Sequence, residues 1–170
     1  MRVVMKDVRR GARIMLLVLA PGLTLAACGA GKTMVMEPGT EVVKASSVAL
    51  REGASTVNCP ASVVALFRSR LEAQLYKPGG FTQGDDVSLT YQFVQYNPGD
   101  QFTRWFFGGL GNAGEGSITV QAVFADKSGK QLSKIMSEGK IGSGAFGGSM
   151  DFAIQKAAEE IAQYTLTTFK

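Results

Sequence analysis

Nucleophilic chemistry in this chain can draw on two cysteines, Cys28 and Cys59, and on no histidine at all. Without an imidazole, Ser-His-Asp and Cys-His arrangements are unavailable, and so are the commonest zinc sites. Carboxylates remain for acid–base work: Asp85-Asp86, Glu115, Asp126 and Glu138. Two carboxyl groups at a set separation in a cleft would serve glycosidic hydrolysis. Asp85-Asp86 precedes an alternating segment, however, and Asp126 opens an Asp-Lys-Ser-Gly turn, where aspartate is favoured for backbone reasons. Two glycine patterns, Gly109-x-Gly111-x-x-Gly114 and Gly142-x-Gly144-x-x-Gly147, resemble dinucleotide-binding turns. The first leads into a strand pattern, so the helix whose N-terminus would hold a phosphate is missing. The second precedes a helix, but the chain has no further strand to carry the acidic ribose partner. Neither a cofactor nor a metal is expected.

Cys28 sits in a different context. Leu25-Ala26-Ala27-Cys28-Gly29 follows a basic stretch (Arg2, Lys6, Arg9, Arg10, Arg13) and an apolar run from Ile14 to Ala20. A charged region, a greasy region and then small residues make the layout of a secretory signal. The cysteine directly after Leu-Ala-Ala resembles the lipobox of bacterial lipoproteins. That resemblance implies a thiol carrying diacylglycerol, a cut just before Cys28 and three acyl chains on the mature N-terminus. Two or more chains give stable anchoring where one does not. Three rival readings exist. A spanning helix needs about 20 apolar residues, and Pro21-Gly22 interrupts the run. An unlipidated signal cut at an Ala-x-Ala-type site remains open. A phosphate loop ending in Gly29-Ala30-Gly31-Lys32-Thr33 would need glycine where Ala26 stands.

Cleavage at that point also changes the charge. The whole chain has 18 Lys+Arg against 14 Asp+Glu, but the first 27 residues hold five of the bases and one acid, leaving 13 of each. A nucleic-acid binder keeps a surplus of bases to displace phosphate counterions, so no nucleic acid is expected as a partner. Cys59, unable to pair with a lipidated Cys28, reads as a small hydrophobe beside Pro60. As a nucleophile or a disulfide partner it would need an activating base.

The elements that must position these residues follow from periodicity. Residues 1–27 are the cleaved signal, 28–40 a lipidated Pro/Gly-bearing tether, and 41–170 a single domain. Val42 to Leu50 fits a first strand. Asn58-Cys59-Pro60 opens a helix, since proline suits the first turn; Val64, Phe67, Leu71 and Leu75 recur at helical spacing until Lys77-Pro78-Gly79-Gly80 stops it. Val87, Leu89, Tyr91 and Phe93 alternate with polar residues as a half-buried strand. Asn97-Pro98-Gly99-Asp100 turns the chain, and Gln101 to Phe107 reads as a returning arm. Ile118, Val120, Ala122 and Phe124 alternate again, Asp126 to Gly129 turns, and Leu132 to Ile141 runs back. After a glycine-rich loop, Gly142 to Gly148, Ser149 is placed to cap a last helix with Asp151 near its positive end. Its face of Ala153, Ile154, Ala157, Ala158, Ile161 and Leu166 is narrow enough to lie close on a sheet. The order predicts an α+β two-layer sandwich, a mainly antiparallel sheet with two helices on one face.

Arg104-Trp105-Phe106-Phe107 is the most unusual stretch. Three adjacent aromatics cannot all point one way on a strand. Either this is an edge strand under a helix or loop, or it is an apolar contact surface for a partner or a bilayer. Together these pieces resemble small bacterial lipoproteins built on the domain of unknown function 4410. The resemblance covers most of the mature chain and is strongest from Arg104 to Ile161. It rests on Arg104 and Gly109, Gly111 and Gly114 before a strand, on the strand and turn Val120 to Gly129, and on the glycine loop leading into Ala157-Ala158-Glu159-Glu160-Ile161. That group has no assigned catalytic residues, and the resemblance implies a periplasm-facing domain on a lipid anchor. Gly29 rather than aspartate after Cys28 points to the outer membrane in a Gram-negative cell, or to the plasma membrane in a Gram-positive one. The expected function is a non-enzymatic, membrane-tethered module that binds an envelope protein or polymer. The alternative is a carboxylate-dependent envelope hydrolase acting on glycan or peptide.

Overall fold

A computed structural model describes residues 29–39, 43–100, 115–141 and 148–170. Within them the chain forms β1 (Gly29–Glu37), β2 (Ser47–Glu52), α1 (Ala61–Leu75), β3 (Thr82–Gln83), β4 (Val87–Asn97), β5 (Ser117–Asp126), β6 (Gln131–Ile141) and α2 (Met150–Phe169). The strands make one six-stranded sheet in the order β1-β6-β5-β4-β2-β3. β1, β6, β5 and β4 are successively antiparallel, whereas β2 runs parallel to both β4 and β3. β2 can lie parallel to β4 because α1 supplies the crossover such a connection needs.

Alternation decides which face is buried. Val87, Leu89, Tyr91 and Phe93 on β4 and Ile118, Val120, Ala122 and Phe124 on β5 are fully buried, while the residues between them are mostly half-buried. The register sets Leu89 beside Phe124, Tyr91 beside Ala122 and Phe93 beside Val120, so these side chains form one continuous face. Both helices cover that face. Phe67 of α1 packs against Tyr91 and Phe93 with ring centroids 5.1 and 5.3 Å apart. Phe124 meets Phe169 and Tyr164 of α2 at 5.1 and 5.5 Å. The fold is therefore the two-layer α+β arrangement that the sequence pattern predicts.

α2 lies unusually close to β6. A Cβ on Gly139 would overlap the Ala153 carbonyl. Ala153 and Ala157 are completely buried in this contact, and the buried Ser137 hydroxyl donates to the Ala157 carbonyl at 3.0 Å. Small residues on both elements thus bring the helix axis down onto the sheet. The buried set on α1 is Val63, Phe67, Leu71 and Leu75, so Val63 replaces the expected Val64 at the start of the stripe. Ser149 stands at the head of α2 and Asp151 in its first turn, but the Ser149 side chain makes no capping bond; its carbonyl instead accepts from Phe152 and Ala153.

Two boundaries differ from expectation. The first predicted strand begins later, at Ser47, because Ala45 is drawn off to donate to the Phe169 carbonyl at the end of α2. The expected tether is not slack. Residues 29–37 form β1, an edge strand zipped antiparallel onto β6 from Gly29 opposite Ile141 to Glu37 opposite Lys134. Gly29, Ala30 and Gly31 carry almost no side chain to reveal this role; backbone hydrogen bonds do the pairing.

Candidate functional site

The described residues form an open cleft of about 710 Å³ at one end of the sheet, lined by Lys44, Ala45, Ser46, Asp86, Asp126, Lys127 and Ser128. Its position follows from topology. β2 and β4 begin at this end, and the β5–β6 hairpin turns here. Pairing of Val87 with Asp126 then brings the turn residue Lys127 alongside Asp86.

Each carboxylate in the cleft already has a backbone task. Asp86 Oδ2 accepts from the Ser46 N–H at 3.1 Å, the Ser46 hydroxyl at 2.7 Å and the Ser47 N–H at 3.0 Å. Its Oδ1 faces Lys127 Nζ at 3.0 Å, and the same ammonium lies 3.5 Å from Asp85. These donors, led by the Ser46 hydroxyl and then Lys127, hold the Asp86 carboxyl well below the usual carboxylate range. The same pairing raises Lys127. Asp126 Oδ1 accepts from the Ser128 N–H at 2.8 Å, the Ser128 hydroxyl at 2.6 Å and the Lys130 N–H at 3.1 Å, which lowers its carboxyl too. Gly129 completes that turn in the left-handed region at φ 84°.

A general acid needs its carboxyl raised toward neutrality. Asp86 and Asp126 move the other way and act as staples between strand ends. The remaining candidates lie elsewhere. Glu115 stands just ahead of β5 at the opposite end of the sheet, its carbonyl accepting the Asn97 amide at 3.2 Å. Glu138 lies on β6, on the face turned away from the helices, paired with Lys140 at 3.3 Å. The five acidic residues picked out by sequence are therefore split between the two ends of the sheet, with only Asp85, Asp86 and Asp126 together. Among the described residues, no group of three or more potential ligands could hold a metal ion.

Cys59 is half-buried immediately before Pro60, the residue that caps α1, and packs at the margin of the core. Burial pushes its thiol up, the reverse of what activates a nucleophile. Cys28, Arg104, Trp105, Phe106 and Phe107 lie outside the described residues, as do most of the glycine loop and the glycines of the 109–114 pattern. The strand that sequence reasoning missed, β1, places exposed Met34, Val35 and Met36 along the sheet edge. Its one legible signal is the alternation of Thr33 and Val35 with Lys32, Met34 and Met36. No described helix is long and apolar enough to cross a membrane.

Residues 51–145, more than half of the 170-residue chain, match the family described as Domain of unknown function (DUF4410). The chain belongs to that family. Among solved structures it is similar to the PelC dodecamer from Paraburkholderia phytofirmans, at 14% identity and a TM-score of 0.45, covering 79% of this chain and 96% of that one. It is also similar to a minor lipoprotein from Acinetobacter baumannii, at 13% identity and a TM-score of 0.41, covering 72% of this chain and 93% of that one. No curated protein matches the sequence.

Proposed function

We propose that this DUF4410 chain is a lipid-anchored, non-enzymatic binding or assembly module of the bacterial cell envelope, held on the periplasmic face of the outer membrane (or on the plasma membrane of a Gram-positive cell). The observation that carries the reading is the sequence Leu25-Ala26-Ala27-Cys28, preceded by a basic and then an apolar run, standing directly ahead of the folded chain. Cys28 is the lipid acceptor, and Arg104, Trp105, Phe106 and Phe107 are the contact for an envelope protein or polymer. Support against the hydrolase comes from the cleft, where Asp86 and Asp126 are committed to backbone donors and depressed in pKa.

Metabolic labelling with radioactive palmitate tests the anchor. The wild-type chain should take up label and sediment with membranes, and Cys28→Ser should do neither. Equal labelling of both proteins, or none of either, would sink the assignment of Cys28.

A further inference from the structure

If Cys28 carries lipid, the acylated atom lies one residue from a strand that is part of the sheet, since Gly29 already pairs with Ile141. Consecutive Cα atoms are about 3.8 Å apart, so the lipid enters the bilayer within a few ångström of the sheet. A free tether of about a dozen residues would instead wander roughly 20 Å and let the domain tumble. β1 is also secured laterally. The Thr33 hydroxyl donates to Glu160 of α2 at 2.9 Å, and Gly31 lies against the Glu160 side chain. At its far end Glu37 accepts from Gln131 at 2.6 Å and pairs with Lys134 at 3.3 Å.

The register carries this constraint across the whole sheet. Gly29 lies beside Ile141, Lys140 beside Ser117, and Ser117 beside Asn97, so these four strands finish together at one end of the described sheet. The opposite end of the strands holds Glu37, Gln131, Asp126 and Val87, together with the cleft around Asp86 and Lys127. We infer that β1 clamps the domain to the bilayer in a single orientation, with the Gly29–Ile141–Ser117–Asn97 end against the lipid headgroups and the Asp86–Lys127 cleft facing away. The partner at the near end is a lipid surface. The inference rests on the proposed acylation of Cys28.

The two ends are far enough apart to be told apart. β5 spans Ser117–Asp126, and at about 3.4 Å per residue its ends are some 30 Å apart. Pro98, just past β4, and Ser128, in the β5–β6 turn, are both exposed and stand at the two ends. In the full lipidated chain carrying Cys59→Ser, a fluorophore is placed through Pro98→Cys or, separately, Ser128→Cys. Each protein is reconstituted into phosphatidylethanolamine–phosphatidylglycerol vesicles containing a headgroup nitroxide lipid. Quenching should be several-fold stronger for the Pro98→Cys label than for the Ser128→Cys label. A twelve-residue Gly-Ser spacer inserted between Cys28 and Gly29 should bring the two labels toward equality. Equal quenching without the spacer, in protein that floats with the vesicles, would overturn the clamp and leave the anchor standing. Protein that fails to float, and shows no added acyl mass, would overturn the anchor and the clamp together.

Discussion

Replacing Gly139 by alanine is the sharpest test of how the two layers meet. The added Cβ would overlap the Ala153 carbonyl and press on the Ala157 amide nitrogen, 3.1 Å away. Both obstacles are backbone of α2, so no side chain can swing aside and the helix must lift. Overpacking of this kind costs about 3 kcal/mol, the upper part of its usual range. Lifting α2 also stretches the buried bond from Ser137 to the Ala157 carbonyl, for about another 1 kcal/mol. Alanine returns roughly 0.5–1 kcal/mol by restricting the unfolded chain more than glycine does. The net loss is about 3 kcal/mol, and at roughly 3 °C per kcal/mol for a domain of this size the melting temperature should fall by about 9 °C. Thermal melts followed by far-ultraviolet circular dichroism read this directly. Gly79→Ala is the matched control: Gly79 has φ 80° and nothing within 4 Å of an added Cβ. It should cost the left-handed strain, about 1.5 kcal/mol, less the same unfolded-chain gain of roughly 0.5 kcal/mol, a net of about 1 kcal/mol or ~3 °C. If Gly139→Ala melts no lower than Gly79→Ala, the close approach of α2 to β6 is refuted.

The ionisable groups give two further predictions, one at each end of the pH scale. Asp86 is depressed in the folded state, so its contribution is complete above its unfolded value, about pH 4, and is lost as pH falls further; Asp86→Asn should flatten the acid limb of a stability–pH curve, and an unchanged limb would remove Asp86 as a staple. Tyr91 is pushed up to about 12 by burial, with the Glu52 carboxylate nearby adding to it. Its neutral form is therefore the one the fold favours: the contribution is intact below about pH 10 and disappears as pH rises through 12. Tyr91→Phe should make alkaline unfolding between those values less steep, measured by circular dichroism against urea at fixed pH.

The elements legible in the sequence are those whose side chains decide a face. β4 and β5 alternate cleanly because one side meets helices and the other does not, and α2 shows its small-residue stripe because Gly139 and Ser137 admit only small partners. On α1 the phase slips by one residue at the first turn, where Val63 and Val64 are equally apolar and only tertiary contact chooses between them. The candidate site was readable in residue type but not in grouping. Asp85-Asp86 and Asp126 are forty residues apart in the chain, and the β4–β5 register is what joins them. What commits Asp86 to a structural task, the Ser46 and Ser47 amides beside the Ser46 hydroxyl and Lys127, comes in part from backbone that carries no signature in the sequence.

β1 was invisible for a related reason, and its discovery changes the physical picture of the anchor. An edge strand bonded on one side through its backbone needs little from its side chains, so Gly-Ala-Gly-Lys passes for a linker. Edges are also a hazard, because unpaired N–H and C=O groups can template another chain. At the other edge the sheet solves this with β3, a strand of only two residues. β1 is nine residues long and exposes Met34, Val35 and Met36, with Lys32 and a bulge between Val35 and Glu37 as local deterrents. Acylation of Cys28 would add a stronger one. Two copies joining antiparallel through β1 would place their N-termini at opposite ends of a strand about 27 Å long. Both lipids could not then enter the same leaflet with the strand upright. With the anchor in place, the bilayer itself opposes the antiparallel self-pairing that this edge would otherwise invite.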